Sequence, residues 1–414
     1  MIRSLPTSLA LCLTSAAAFA ANTSAPAATF SKNVAPILYS RCVGCHRPGE
    51  AAPMSLIDYK DVRPWAKSIK AAVLQHTMPP WLADSSIGHF SNDRRLSQAE
   101  INTLVNWVDA GTPEGNASEL PAVPKFETGW TIGKPDMVVD MGTDFDVPAE
   151  GVVPYKHFTV DPGFTEDKWV ERAEIRPDKR EVVHHVIVYI LPPGVPQSAA
   201  EGERRGERRE MLVGFAPGDP ATIFEPGTAR LIKAGSKLIF QMHYTPNGKP
   251  YKDRSYIGII LARQAPKYRA FITNAGNGTF VIPPGDPNYE VKSSWEAKED
   301  VQMTSLMPHM HVRGKDYKYT VVYPDGRREV ILSVPKYDFN WQLTYELKER
   351  LNLPKGTRIE GLAHFDNSPN NKYNPDPTKE VRFGPQTWEE MMLGWFTYVV
   401  PVEAVKTQAT GAVE

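Results

Sequence analysis

Two apolar rhythms divide the chain. From Ser31 to Gly111 the hydrophobic positions recur at helical spacing. Val34, Ile37, Leu38 and Cys42 fall on one stripe of a predicted helix that Ser31 is placed to cap. A later helix is predicted after the capping-box pair Ser97 and Glu100, with Ile101, Leu104, Val105 and Val108 on one face and Gly111 as its stop. Beyond Lys125 this period gives way to short β-rich runs at 155–160, 168–175, 182–191, 237–244, 256–261, 301–307, 317–323, 329–334, 340–347, 357–364 and 395–400. Turns such as Pro192-Pro193-Gly194, Pro283-Pro284-Gly285 and Pro324-Asp325-Gly326 separate them. Many short strands between such turns predict antiparallel β-sandwiches, and this stretch is long enough for two. Residues 198–210, dense in Glu and Arg, read as a solvated loop or short helix.

Composition narrows the function classes. A chain of 414 residues suits two or three domains. Its 47 basic and 48 acidic residues balance, so no broad field draws it to nucleic acid or anionic lipid. Met1-Ile2-Arg3, an apolar stretch over 9–19 and Ala18-Phe19-Ala20 together read as an export signal over residues 1–20. That stretch is too short to span a bilayer, and no later one approaches 18 apolar residues. A periplasmic or secreted bacterial protein without a membrane span is expected, and Cys12 leaves with the signal.

The two remaining cysteines are too few for a disulfide scaffold. They stand in Cys42-Val43-Gly44-Cys45-His46, the C-x-x-C-H pattern of covalent haem attachment. Two thiols one turn apart can bond the macrocycle, and His46 then falls beneath the iron. A redox C-x-x-C or half of a zinc site is the alternative, but no further thiol or His pair lies in this segment. For the sixth ligand position Met78 leads, with His76 its main competitor and Met54 and His89 behind. Met78-Pro79-Pro80-Trp81 resembles the axial loop of bacterial cytochromes c, and a Met/His pair raises the reduction potential. Residues 30–115 are thus read as a small all-α cytochrome c domain, with 116–125 as its linker.

Five further histidines are candidates for metal. His184 and His185 adjoin within an otherwise apolar strand, where unpaired imidazoles are costly to bury. Neighbours on a strand face opposite sides, so both can bind one ion only at a twist, bulge or strand end. His243 lies on Gln241-Met242-His243-Tyr244. His309 and His311 are two apart on a strand, hence on one face. His364 could support a site from behind or be structural. His157 reads as a strand-surface residue, and the Asn277-Gly278-Thr279 sequon carries little meaning in a bacterial host.

From about 126 to 402 the chain resembles the ascorbate-dependent copper monooxygenases, the family of peptidylglycine α-hydroxylating and dopamine β-monooxygenases. The resemblance rests on His184-His185, then Gln241-Met242-His243-Tyr244, then His309-Met310-His311, then Glu389-Glu390-Met391-Met392, in that order. It implies two antiparallel jelly-roll-type domains, 126–265 and 266–404, on opposite sides of a solvent cleft. It also implies one copper on His184, His185 and His243, and another on His309, His311 and Met391. A thioether in place of an imidazole favours Cu(I), the state that meets O2. The implied activity is hydroxylation of a small organic substrate at the His309, His311 and Met391 copper, with electrons relayed through the three-histidine copper. The cytochrome in front suggests that they arrive through haem from a periplasmic donor, complementing or replacing an ascorbate-like reductant. A haem and copper protein that transfers electrons without hydroxylating is the rival reading. Two departures concern the substrate end: Met307 stands where the peptide-amidating branch has an Arg, and Trp395 where it has a Tyr.

Overall fold

The computed structural model describes residues 28–196 (without 49, 51, 53, 127 and 128), 210–215 and 221–403. The export signal, Cys12 and most of the 198–210 stretch lie outside the described residues. The chain is mainly β, with 39% strand and 13% helix in several sheets.

A complete all-α cytochrome domain is not evident in the front segment, whose helices are short. These are α1 (Ala35–Arg41), α2 (Tyr59–Val62), α3 (Ala66–Leu74) and α4 (Gln98–Asp109). The capping box of Ser97 and Glu100 forms as the sequence predicts, each closing on the other's backbone N–H. Ser31 does not cap. A wider turn, Phe30–Val34, precedes α1, and both Ser31 N and Oγ donate to the Glu114 carbonyl, tying this start to the chain beyond α4. Phe30, Val34, Leu38, Val62, Leu104 and Trp107 bury together in one apolar cluster. The chain between α3 and α4 then leaves the helices: Trp81 packs edge-on against Tyr345, 4.9 Å between ring centres, among the β strands.

The first group of strands is β1 (Met137–Asp140), β2 (Phe145–Val147), β3 (Lys156–Val160), β4 (Lys168–Arg176), β5 (Val183–Leu191) and β6 (Glu210–Phe215). It continues with β7 (Ala221–Ile223), β8 (Thr228–Ile232), β9 (Lys237–Tyr244), β10 (Tyr251–Asp253) and β11 (Tyr256–Leu261). The second group is β12 (Tyr268–Asn277), β13 (Val281–Ile282), β14 (Tyr289–Glu296), β15 (Val301–His309) and β16 (Gly314–Val322). It ends with β17 (Arg328–Val334), β18 (Tyr345–Leu353), β19 (Arg358–Phe365), β20 (Val381–Arg382) and β21 (Met392–Pro401). The strand expected over 340–347 begins only at Tyr345. Residues 335–344 are a loop, because β15 pairs with β18 no further than Leu306 and Tyr345.

Sheet β3-β9-β5-β6 packs on β1-β11-β4-β8 through inward residues such as Val186, Val188, Phe240 and Ile257. Sheet β14-β19-β16-β17 packs likewise on β12-β21-β15-β18 through Tyr317, Tyr319, Leu306 and Phe396. A parallel pairing, Thr228 to Tyr268 and Ala229 to Arg269, joins β8 to β12 and makes one nine-stranded sheet of the two halves. Side-chain alternation then decides the site. On β5 the even residues Val186 to Ile190 face the core, so His185, Ile187 and Tyr189 face out. On β15 and β21 the core takes Leu306 and Phe396, leaving His309, Met307, Leu393 and Trp395 on the outer face. These two outer faces look across one cleft.

Candidate metal centres and the cleft between them

The His184 problem posed by the sequence is solved by a bulge. The pairing of β5 with β9 shifts between Val183 and His185, so Val183 opposes Tyr244 and His185 opposes His243. The extra residue, His184, turns to the same side as its neighbour. His185 Nδ1 lies 3.4 Å from His184 Nδ1 and 3.3 Å from His243 Nδ1. Three donors about 2.0 Å from one ion and spread in a plane around it would lie about 3.5 Å apart, so the three imidazoles fit a single metal. Burial lowers the pKa of all three, His243 to about 3, which keeps their lone pairs available. Tyr155 packs on both His185 and His243, with ring centres 5.3 and 4.6 Å away.

His309 ends β15 and His311 follows it, their rings 5.3 Å apart and perpendicular. His309 Nδ1 meets Gln342 Oε1 at 2.7 Å, and His311 Nδ1 meets the Glu389 carbonyl at 3.1 Å. Both acceptors fix the Nδ1–H tautomer, and Nε2 is left as the ligand atom on each ring. Burial lowers His309 to about 4 and His311 to about 3. Met391 lines the cleft together with His309 and His185. Beneath these residues Glu390 is fully buried and accepts from the backbone N–H groups of His311, Arg313 and Met391 at 2.8, 2.7 and 3.2 Å. Burial pushes its carboxyl up to about 8, against the pull of those donors and of Arg313. One carboxyl thus spaces the His-x-His segment against the Met391 segment.

Phe339 touches both groups, stacked on His184 at 5.6 Å and 12° and edge-on to His311 at 5.9 Å, while His185 and His309 both line one cleft. Phe339 belongs to the 335–344 loop, which also carries Gln342 and Tyr337. The Tyr337 hydroxyl accepts from Met310 N at 3.1 Å and donates to Met310 O at 2.8 Å. Sequence reasoning missed all three: the run over 340–347, which holds Gln342, reads as strand, and Tyr337 and Phe339 lie just before it. The cleft itself has a volume of about 1190 Å³.

In the front segment Cys42 and Cys45 are unpaired thiols at the end of α1, and the backbone N–H groups of Cys45 and His46 both donate to the Cys42 carbonyl. Burial, reinforced by Cys45, pushes the Cys42 thiol up to about 12. His46 Nδ1 is buried without a hydrogen-bond partner, and burial lowers its pKa. Two free thiols one turn apart beside an imidazole with one nitrogen unpartnered among the described residues fit covalent haem attachment. Of the sixth-ligand candidates, His76 is exposed, Met78 is half-buried, and Met54 packs on the same apolar cluster as Cys42. His364 belongs to neither metal group: it bonds Asp316 at 2.8 Å and lies 3.6 Å from Glu290 on the second sandwich's outer sheet. His157 lies on β3, 3.0 Å from Gln241.

No protein-family model matches the chain. Among curated proteins it is 25% identical over 242 residues to the human "Putative DBH-like monooxygenase protein 2", covering 52% of this chain and 46% of that protein. The chain therefore spans about half the length of the curated relative it matches. Among solved structures, the capsid protein P2 of bacteriophage PM2 aligns at 10% identity and a TM-score of 0.24 over 55% of this chain and 97% of that one. The VP2 subviral particle of infectious bursal disease virus aligns at 9% and 0.20 over 67% and 74%. Such low scores decide nothing about the fold. What the comparisons establish is a distant similarity, over about half the chain, to a protein of the DBH-like monooxygenase type.

Proposed function

We propose that this protein is an exported haem–copper monooxygenase that hydroxylates a small organic substrate. His184, His185 and His243 hold one copper, His309, His311 and Met391 the other, and Cys42, Cys45 and His46 a covalent haem c with Met78 as its sixth ligand. When bound, these groups supply one-electron transfer and O2 activation, the Met391 thioether favouring Cu(I). On this reading residues 30–115 are the cytochrome domain, 116–125 its linker, and 126–265 and 266–404 two jelly-roll-type copper domains.

The observation that carries the reading is the convergence of five imidazoles, from β5, β9 and the end of β15, on the two sides of Phe339. The chain's own residues supply the rest. Gln342 and the Glu389 carbonyl orient the second pair of rings, and Glu390 holds His311 and Met391 in register. Phe339 packs on His184 of one group and His311 of the other. A contact of the front segment supports electron entry on the three-histidine side. Arg47, next to His46, pairs with Glu50 at 2.9 Å, and Glu50 pairs with Arg180 at 3.2 Å on the turn that leads into His184. Electrons would come from a periplasmic donor or an ascorbate-like reductant.

The test is incorporation of isotopically labelled O2 into product by reduced, metal-loaded protein, with and without His309→Ala. The reading expects label in product and its loss in the variant, while the haem spectrum stays intact. Turnover unchanged without His309 would sink it, and a wild type that holds haem and copper but incorporates no label would favour the electron-transfer rival.

A further inference from the structure

We propose that the substrate is an uncharged, largely apolar molecule carrying one hydroxyl or carbonyl group, which is recognised by Asn274 and Trp395 beside the second metal group. This rests on the reading of His309, His311 and Met391 as the reacting centre.

Strand register orders the cleft floor into rows. His309 lies level with Leu393 and Gly276, and the next row is Met307, Trp395 and Asn274. After that come Ser305, Thr397 and Ile272. Alternate residues on a strand are about 6.8 Å apart, so the second row is one substrate ring away from His309 and the third about 14 Å. Across from them β5 presents Ile187 and Tyr189, which pack with Met211, Ile272 and Trp395 into one apolar cluster.

Among the described residues that line the cleft, the charged side chains other than histidine are Arg94, Glu225 and Glu346. Glu346 sits level with Ser305, in the third row, and receives Ser91 N at 2.9 Å on its carbonyl. Glu225 is paired with Arg350 at 2.7 Å. Arg94 is half-buried and comes from the same front-segment stretch as Ser91. Among the described residues neither carboxylate stands in the first two rows, and Arg94 comes from the front segment rather than from the strands that form them. An ammonium there would lose its water without gaining a counter-charge.

The polar groups that do stand there have no partner of their own. Asn274 forms no side-chain hydrogen bond among the described residues, and its carboxamide leans over Gly276 toward the His309 row. A Cβ on Gly276 would lie 2.5 Å from Asn274 Oδ1 and 2.9 Å from Leu393 Cδ2. The absent side chain is the space the carboxamide uses. Trp395, its neighbour in register, is half-buried with an indole N–H that likewise donates to no described group. An amide and an indole N–H on one row, inside an otherwise apolar wall, can bind a single neutral polar group on an apolar body.

The test is calorimetric binding to the full, metal-loaded chain without O2, using four probes of one shape: 2-phenylethanol, ethylbenzene, phenethylammonium and phenylacetate. The alcohol should bind about tenfold or more tighter than either ion, the worth of about one hydrogen bond. Asn274→Ala and the near-isosteric Asn274→Leu should each weaken the alcohol about fivefold while leaving ethylbenzene within about twofold. Gly276→Ala should reproduce that selective loss by displacing the carboxamide. Equal or tighter binding of an ion, equal weakening of alcohol and ethylbenzene, or no heat from any probe would overturn the proposal. Selective binding without oxygen incorporation would overturn the monooxygenase reading alone.

Discussion

Gln342 shows how one side chain controls a candidate ligand. Among the described residues Gln342 Oε1 is what holds the His309 Nδ1–H, so removing that acceptor frees the ring to rotate and to change tautomer. Gln342→Ala should lower copper affinity at the His309 group about 10- to 100-fold and leave the three-histidine group unchanged, as read by copper titration and the two EPR signals. Equal weakening at both groups would mean that Gln342 acts by general packing. Glu390 is the companion case beneath the ligands. Every described contact to its oxygens is a donor, so its role is to gather N–H groups that the turn after β15 leaves without a ladder partner.

The loop over residues 335–344 is the element that touches both metal groups. It has no ladder of its own, and Tyr337 fastens it by two bonds to the backbone of Met310, the residue between His309 and His311. Tyr337→Phe removes both and should cost about 1–3 kcal/mol of unfolding free energy, since the Met310 groups are left unpaired. Hydrogen exchange should then rise in 335–344 and at His309 to His311, with the β5 bulge unaffected. Uniform exchange across the chain would show that the loop is held by something else. The bulge in β5 and the capping box of α4 are elements whose causes could be read in advance. An adjoining His pair needs an irregular strand to share an ion, and Ser97 and Glu100 need only each other. The loop could not be read this way, because its apolar alternation is that of a strand. What breaks the strand is the distant end of its pairing with β15 at Leu306.

At the scale of the molecule, the five candidate imidazoles link stability to pH and to copper. The ordinary histidine value is 6.5, and burial lowers all five below it, to about 3 for His243 and His311 and about 4 for His309. Between those values the unfolded chain binds protons that the folded chain does not, so the histidine contribution to folding stability should be full above pH 6.5 and fall as pH drops toward 4. Glu390, raised to about 8, has the opposite sign, because its contribution falls as pH rises from 4.5 through 8. Five groups against one leave the net loss on the acid side. Copper would bind the neutral rings of the folded state, so chelated protein should melt lower than loaded protein at pH 7, and the gap should close as acid protonates the rings and releases the metal. Equal melting temperatures with and without copper would refute this coupling. The front segment joins the same whole through Trp81 on Tyr345, Ser91 on Glu346 and Glu50 on Arg180.

The sequence by itself determined which residues could carry chemistry and much of the strand order. Cys42, Cys45 and His46 declare themselves by spacing, and the β runs around His184, His243 and His309 by their period of two, because both signals are local. Only the tertiary structure decided what those residues face. The β8 to β12 pairing joins the halves, the outer faces of β5, β15 and β21 close on one cleft, and Phe339 packs on both His184 and His311, which lie far apart in the chain. Such relations depend on which strand edges meet and where a ladder ends. No periodicity along a single strand records its partner, so the distance between the two groups and the neutral wall beside His309 became legible only when the sheets were assembled.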